Sequence, residues 1–271
     1  MAVGFESANF ASGSISDIRV ALVMPVYNEG ITILSTVSDI TTEVLHKIPR
    51  SFLFIFEDGS KDNTKQVLTT FSSSESRVCV NMTENRKGYP KAVKDAIASV
   101  DESLFDYVAF ADSDGQYNPQ SLVRLIELVV KQPMDIVIGR RTNRAEPFYR
   151  TVLSRGLNFL EKTMFHPSCN DVTSALRIMR VTVAKKIASE VRYSPYNFWL
   201  EFTARAAKEG YNMVEIPIEY RPRAGQTESN VYSLTKMPKI VWKEFSALLK
   251  VWWEYNLGRS RAQFIPEAKT S

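Results

Sequence analysis

The chain is poor in the residues that build soft metal centres and covalent frameworks. Its 271 residues include 2 cysteines and 2 histidines. Cys79 and Cys169 are too far apart in sequence for a metal-ligand spacing, so two buried thiols in a reducing compartment are expected. With only His46 and His166, a histidine-rich metal site is excluded. No window offers the roughly 20 uninterrupted apolar residues that a membrane span needs. The opening segment MAVGFESANFASGSIS has neither the basic region nor the apolar run of a secretory signal, so residues 1–17 are expected to form a loose leader. Charge of one sign is scarce as well. Against 34 basic residues stand 30 acidic ones, and a net +4 is too mild to argue for nucleic acid. Repeats and low-complexity linkers are missing, which favours one compact domain.

What is present is a regular alternation of elements. Ile18 to Met24 reads as a buried strand, and the turn PVYNEG follows, with Asn28 placed to cap a helix whose apolar positions are Ile31, Leu34, Val37, Ile40, Val44 and Leu45. Phe52 to Phe56 is unbroken apolar sequence, predicting a fully buried strand that ends in Glu57, Asp58 and Gly59. A helix beginning at Asp62 to Thr64 carries Val67, Leu68 and Phe71, and Arg77 to Asn81 makes a short strand. Pro90 suits the first turn of a helix with Ala92, Val93, Ala96 and Ile97 inward. The strand from Tyr107 to Ala111, a helix from Pro119 to about Lys131 and the strand DIVIG at Asp135 to Gly139 extend the rhythm. Such alternation implies an α/β fold with a mostly parallel sheet and helices on both faces, and ligands of such sheets bind beyond the carboxyl ends of the strands.

Acidic residues fall at those ends. In FADSDGQYNP, Asp112 and Asp114 flank one small residue after the strand, and in extended backbone they point the same way. They suit a hard divalent cation carrying phosphate oxygens; they equally suit a polar turn before the helix at Pro119. Past Gly139 the composition shifts to Arg140, Arg141, Arg144, Arg150 and Arg155, readable as phosphate capture by guanidinium groups or as a solvated basic face. Cys169 to Arg180 is expected to be extended, Asn197 to Glu209 helical with Phe198, Phe202 and Ala206 inward, and Tyr211 to Tyr220 the last strand. A final helix from about Lys236 to Trp253 places Trp242, Phe245, Leu249, Trp252 and Trp253 on one side among Lys239, Lys243 and Lys250. A stripe of this kind is more often core than lipid anchor, though tryptophan with lysine also fits a membrane interface.

Taken in order, PVYNEG, EDGSKDNT, NRKGYPKA, DSDGQYNP, DIVIGRR, DVTSALRIMR, YNFWLEFTARAAKEGYNMVEIPI and RPRAGQT resemble the family 2 glycosyltransferases, and within them the polyprenol-phosphate sugar transferases. The resemblance runs from about Ile18 to Pro238. It implies a three-layer GT-A fold over residues 18–258, with a nucleotide-sugar half at 18–139, an acceptor half at 140–258 and a tail at 259–271. It also implies Mg²⁺ or Mn²⁺ on Asp112, Asp114 and Gln116, bridging the diphosphate of a UDP- or GDP-linked sugar. Pro25, Tyr27, Glu29 and Asp58 match positions that enclose the nucleoside, Ser113 one near its ribose, and Arg223 an arginine that folds over the diphosphate. Arg141, Arg150 and Ser154 resemble the receivers of a polyprenyl phosphate acceptor. Three departures are visible: Glu57 replaces the first of two aspartates, Thr173 to Leu176 replaces TSGF, and Gly225 to Glu228 replaces a GESK-like loop end.

The reaction so implied is displacement at an anomeric carbon with inversion, catalysed by Asp112, Asp114, Arg141 and Arg223 at the cytoplasmic membrane face, with peripheral contact through the C-terminal helix. A lipid phosphate is already anionic and needs positioning more than a base. A glycan hydroxyl acceptor, the competing expectation, needs a base, for which Asp171 or Glu201 would serve. A non-catalytic nucleotide-sugar sensor is the reading from a different class.

Overall fold

A strand buried on both faces must be apolar throughout, and β1 (Val20–Val26) is buried at every position. The computed structural model describes residues 14–132, 134–142, 148–222 and 237–258. After β1 come α1 (Ile33–Ile40), β2 (Ser51–Glu57), α2 (Thr64–Ser72), β3 (Val78–Met82), α3 (Tyr89–Ser99), β4 (Tyr107–Phe110) and α4 (Pro119–Lys131). The second half contributes β5 (Ile136–Thr142), α5 (Phe148–Phe165), β6 (Arg177–Arg180), α6 (Val181–Glu190), α7 (Phe198–Lys208), β7 (Met213–Glu219) and α8 (Met237–Trp253). The strands form one sheet in the order β3-β2-β1-β4-β6-β5-β7. Of these seven strands only β6 runs antiparallel to its neighbours.

The pleat of β1 sorts its side chains between two cores. Ala21 and Val23 join the layer containing α3, α6, α7 and α8, while Val20, Leu22, Met24 and Val26 join that of α1, α2 and α4. This is the three-layer GT-A arrangement expected from the sequence. The chain leaves β1 in one direction through β2 and β3, and resumes on its other side at β4. Beyond the carboxyl ends of β1 and β4 lies the crevice of this switch point, where open α/β sheets bind ligands. Pro25 fits inside β1 because Val23 C=O faces β4 and Val26 C=O faces β2, accepting from Ala111 and Asp58 N–H groups respectively. Alternation turns Pro25 toward β4, whose pairing with β1 stops at Val23, so no ladder bond is lost.

Several elements differ from the sequence reading, each for a packing reason. α1 starts at Ile33 with Thr32 as N-cap, whereas Asn28 sits at φ 55° and accepts from the Lys61 N–H. Ile31 and Leu34 are exposed because the buried stripe is Ile33, Thr36, Val37 and Ile40; a π-helical turn at Thr41–Leu45 then carries Val44 and Leu45 inward. β2 buries alternate residues, leaving Phe52, Phe54 and Phe56 half-covered, with Phe105 edge-on to the first two. Cys79 lies exposed on β3 and only Cys169 is buried. The extended stretch before Arg180 shortens to β6, and α6 follows it without a loop, an element absent from the sequence reading. α8 buries Ile240, Glu244, Ala247, Leu248 and Val251, turning Trp242, Leu249, Trp252 and Trp253 to solvent. The aromatic stripe is therefore surface, contrary to the core expectation. Among the described residues no helix is long and apolar enough to cross a membrane.

Glu161 on α5 is fully buried, and among the described residues neither carboxyl oxygen has a hydrogen-bond partner. Burial pushes its pKa well up, against a weaker opposing pull from Arg177. Below the unfolded-state pKa the carboxyl is neutral in both states; above it the unfolded chain releases a proton that the folded one keeps, so stability falls as pH rises. Relative to Glu161→Gln, the wild type is expected to lose stability steadily as pH rises from the ordinary carboxylate range toward neutrality, read from denaturation midpoints. A difference that does not vary with pH would contradict a neutral buried carboxyl.

Candidate active site

Three loops meet at the carboxyl ends of β1, β2 and β4, and side chains stitch them together. The Asn28 N–H donates to Ser60 Oγ at 2.8 Å, Glu29 N–H to Thr64 Oγ1 at 2.9 Å and Gly30 N–H to Asp62 Oδ2 at 3.0 Å. The loop after β1 is thereby fixed to the loop after β2. Glu57, buried, accepts from the Ser60 N–H, and Lys65 Nζ lies 3.6 Å from its other oxygen. Asp58 accepts backbone N–H bonds from Lys87 at 2.7 Å and Gly88 at 2.8 Å, which ties in the loop before α3. That loop carries Arg86, whose guanidinium lies 3.9 Å over the Tyr27 ring. A cation on an aromatic face beside fixed backbone makes a flat, polar-edged platform.

At the end of β4, Asp112 accepts from the Tyr89 hydroxyl at 3.2 Å, and Asp114 Oδ1 accepts from the Gln116 N–H at 3.1 Å. Ser113 between them is buried. Gln116 is held at both ends of its amide: Oε1 accepts from Tyr220 OH at 2.8 Å, and Nε2 donates to Arg221 C=O at 3.1 Å. An isolated bridge between Tyr117 and Tyr220 and a ring contact of 5.4 Å fasten this loop to the end of β7. The Tyr117 hydroxyl is buried without a hydrogen-bond partner among the described residues; burial first, then the charge of Asp112, pushes its pKa well up. Arg141 and Asp114 also act on it, which places Tyr117 between the acidic loop and the arginine side.

On that side Arg141, near the end of β5, forks onto Asp171 through Nε at 2.9 Å and a terminal nitrogen at 2.8 Å, and the same nitrogen donates to Thr173 Oγ1 at 2.8 Å. Burial draws the Arg141 pKa down, but the Asp171 contact more than reverses this, and the guanidinium stays charged. Glu201 is fully buried and accepts from the N–H groups of Arg192, Tyr193 and Ser194 and from Arg205 Nε. It caps a turn and has no open approach for a hydroxyl acceptor.

The model described as Glycosyl transferase family 2 matches residues 21–188, from β1 through most of α6. The chain belongs to glycosyl transferase family 2. It is thus a sugar-transferring enzyme. It is similar to polyprenol monophosphomannose synthase of Mycolicibacterium smegmatis, 29% identical over 76% of this chain and 78% of that protein. It is also similar to UDP-N-acetylglucosamine–dolichyl-phosphate N-acetylglucosaminyltransferase of Methanococcus voltae, 23% identical over 76% of this chain and 86% of that one. In fold it matches glucosyl-3-phosphoglycerate synthase from Mycobacterium tuberculosis, solved with Mn²⁺, UDP-glucose and phosphoglyceric acid, at 15% identity and a TM-score of 0.65, covering 92% of this chain and 86% of that one.

Of the residues singled out in the sequence, Pro25, Tyr27, Glu29, Asp58, Asp112, Ser113, Asp114 and Gln116 all lie on the loops and strand ends around the switch point. Arg141 lies across from them on β5, next to Tyr220, whose ring it overlies at 5.5 Å. Arg223 lies outside the described residues, as do the side chains of Arg150 and Ser154 on α5. Sequence reasoning assigned nothing to Arg86, Tyr89, Tyr117, Trp199 and Tyr220. The first four stand inside motifs already noticed, and only spatial contact gives Tyr220 a place in the site.

Gly59 makes the stitching possible. Its φ is +72°, and a Cβ there would lie 2.7 Å from Arg86 N and 2.8 Å from Asn85 C, both backbone atoms. Gly59→Ala is expected to destabilise the fold by roughly 2 kcal/mol or more, measured by chemical denaturation. An unchanged midpoint would mean that the loop before α3 does not press on Gly59.

Proposed function

We propose that this enzyme moves a sugar from a UDP- or GDP-linked donor to a polyprenyl phosphate, with inversion, using Mg²⁺ or Mn²⁺. The convergence of Asp112 and Asp114 with the loops after β1 and β2 at the switch point is the observation that carries the reading. The donor set suits a hard cation. Two carboxylates share one strand end, and among the described residues no group of three or more His, Cys, Asp or Glu converges, so diphosphate oxygens and water would complete the shell, as magnesium prefers. When bound, such a cation stabilises charge growing on the leaving diphosphate.

The protein's own residues do the rest. Asp112 and Asp114 would hold the cation at the diphosphate end of the donor, and Gln116, the third residue assigned to this site, braces the loop against β7. Pro25, Tyr27, Glu29 and Asp58 enclose the nucleoside, with Ser113 beside the ribose and the Arg86–Tyr27 platform at its edge. Arg223 covers the diphosphate. Arg141 with Arg150 and Ser154 receives the acceptor phosphate; the Asp171 fork orients Arg141 without discharging it. An anionic acceptor attacks without a base. That agrees with Glu201 being sealed in a turn and Asp171 being clasped by Arg141, and it weighs against a glycan hydroxyl. The similarity to named transferases of both mannose and N-acetylglucosamine leaves the sugar to experiment.

We assign the catalytic unit to residues 18–258 and its membrane contact to the outer face of α8, at the cytoplasmic side. There Trp242 and Trp253 are 66% and 60% exposed, Lys239, Lys243 and Lys250 interleave with them, and Phe159 on the neighbouring α5 is 73% exposed. Tryptophan and lysine together suit a headgroup layer.

Incubation with labelled nucleotide sugars and polyprenyl phosphate is expected to give a chloroform-soluble sugar product, reduced roughly 10²–10³-fold or more in Asp112→Asn and Asp114→Asn. No such product from any donor would sink the reading. In a sedimentation assay with anionic lipid vesicles, Trp242→Ala/Trp253→Ala is expected to bind roughly 10-fold more weakly than wild type. Equal binding would remove α8 from the membrane contact.

A further inference from the structure

One hydroxyl group links the acidic strand end to the second half of the chain. Tyr89 opens α3, and its OH lies 3.2 Å from Asp112 Oδ1 and 2.8 Å from Trp199 Nε1 on α7. An indole N–H can only donate, so the Tyr89 oxygen accepts from it. The phenolic proton is then directed at the Asp112 carboxylate, which as an ionised group can only accept. A phenol keeps its proton near neutral pH, so the hydroxyl serves as the donor.

Trp199 is in turn immobilised by its surroundings. It is 1% exposed, sits edge-on to Phe110 at 4.8 Å, and carries the Arg177 guanidinium over its ring at 4.1 Å. Phe110 is the last residue of β4, two before Asp112. The orientation of the tyrosine hydroxyl is thus set by the packed interior of the acceptor half, independently of any ligand in the cleft.

We propose that Tyr89 is a positioning residue for the cation site: it holds the Asp112 carboxylate in one orientation before the donor arrives, and Trp199 orients Tyr89. This rests on the reading of Asp112 as a cation ligand. A carboxylate already fixed by an outer donor loses less freedom when the cation binds, and partners of this kind change metal affinity by about 10–100-fold. Phenylalanine at position 89 would keep the ring and lack the hydroxyl, which removes both the donor to Asp112 and the acceptor for Trp199 Nε1.

The test is Mn²⁺ affinity, read from the electron paramagnetic resonance signal of free Mn²⁺ in the presence of UDP and, in parallel, GDP. Wild type, Tyr89→Phe, Asp112→Asn and the double variant are compared. Tyr89→Phe is expected to weaken Mn²⁺ binding about 10-fold, Asp112→Asn to weaken it more, and the double variant to match Asp112→Asn. Trp199→Phe, which removes the orienting N–H while keeping an aromatic ring, is expected to give a smaller loss and serves if Tyr89→Phe does not fold. Wild-type affinity in Tyr89→Phe with loss in Asp112→Asn would overturn the positioning role and leave the cation reading standing. Losses that add in the double variant would also overturn it, because a general packing defect acts without Asp112. Wild-type affinity in Asp112→Asn would overturn the cation reading itself, and the role of Tyr89 with it.

Discussion

A buried arginine without a carboxylate partner among the described residues sits where the two halves of this fold join. Arg177, on the antiparallel strand β6, is fully buried and opposite Phe110 in the register with β4. Its Nε and one terminal nitrogen donate to Ser174 C=O, the same nitrogen reaches Val172 C=O, and the other meets Thr203 Oγ1. Its face lies on Trp199. Burial lowers its pKa to about 10, still well above neutrality, so carbonyl dipoles and a π face must answer a full charge. They do so only if the segment from Val172 to Ser174, helix α7 and the end of β4 stay in place together. The guanidinium therefore fixes the second half of the chain relative to the acidic strand end.

From that centre the constraint spreads outward through polar contacts. Trp199 passes it to Tyr89 and Asp112, and the Thr173 hydroxyl, next to the carbonyl groups that Arg177 grips, meets Arg141. In the first half of the chain the same task falls to short side chains. Ser60, Asp62 and Thr64 accept from the loop after β1, and Asp58 accepts from the loop before α3. Charge-assisted bonds to backbone N–H groups are among the stronger ones available to a loop. Residues that look like ligand contacts in sequence thus also shape the cleft, Asp58 and Gln116 most clearly.

Much of the fold was legible because apolar periodicity and strand-end acids follow from local rules. The faces of α3 and α4, the parallel strands and the switch-point acids came from spacing alone. Boundaries and faces failed where a neighbour decided them. Ile31 and Leu34 belong to an apolar pattern, yet the helix starts later and leaves them in water. The tryptophans of α8 form a plausible core stripe, but α5 and α7 pack against the opposite side, around a buried Glu244 that accepts from the Tyr196 and Asn197 N–H groups. A single sequence cannot say which of two amphipathic faces will find a partner. α6 was missed because a β-branched start directly after a strand carries no loop signal.

The sequence by itself determined the α/β rhythm, the position of acidic residues at strand ends and the clustering of arginines after β5, since each depends on residues close together in the chain. Only the tertiary structure decided that Arg141 is clasped by Asp171, that Glu201 is sealed in a turn and that Tyr89 stands between Asp112 and Trp199. The Arg141 and Tyr89 pairings join residues tens of positions apart, and the physical reason is sheet order: inserting β6 between β4 and β5 brings the second half of the chain against the carboxyl end of β4. No local preference encodes that insertion.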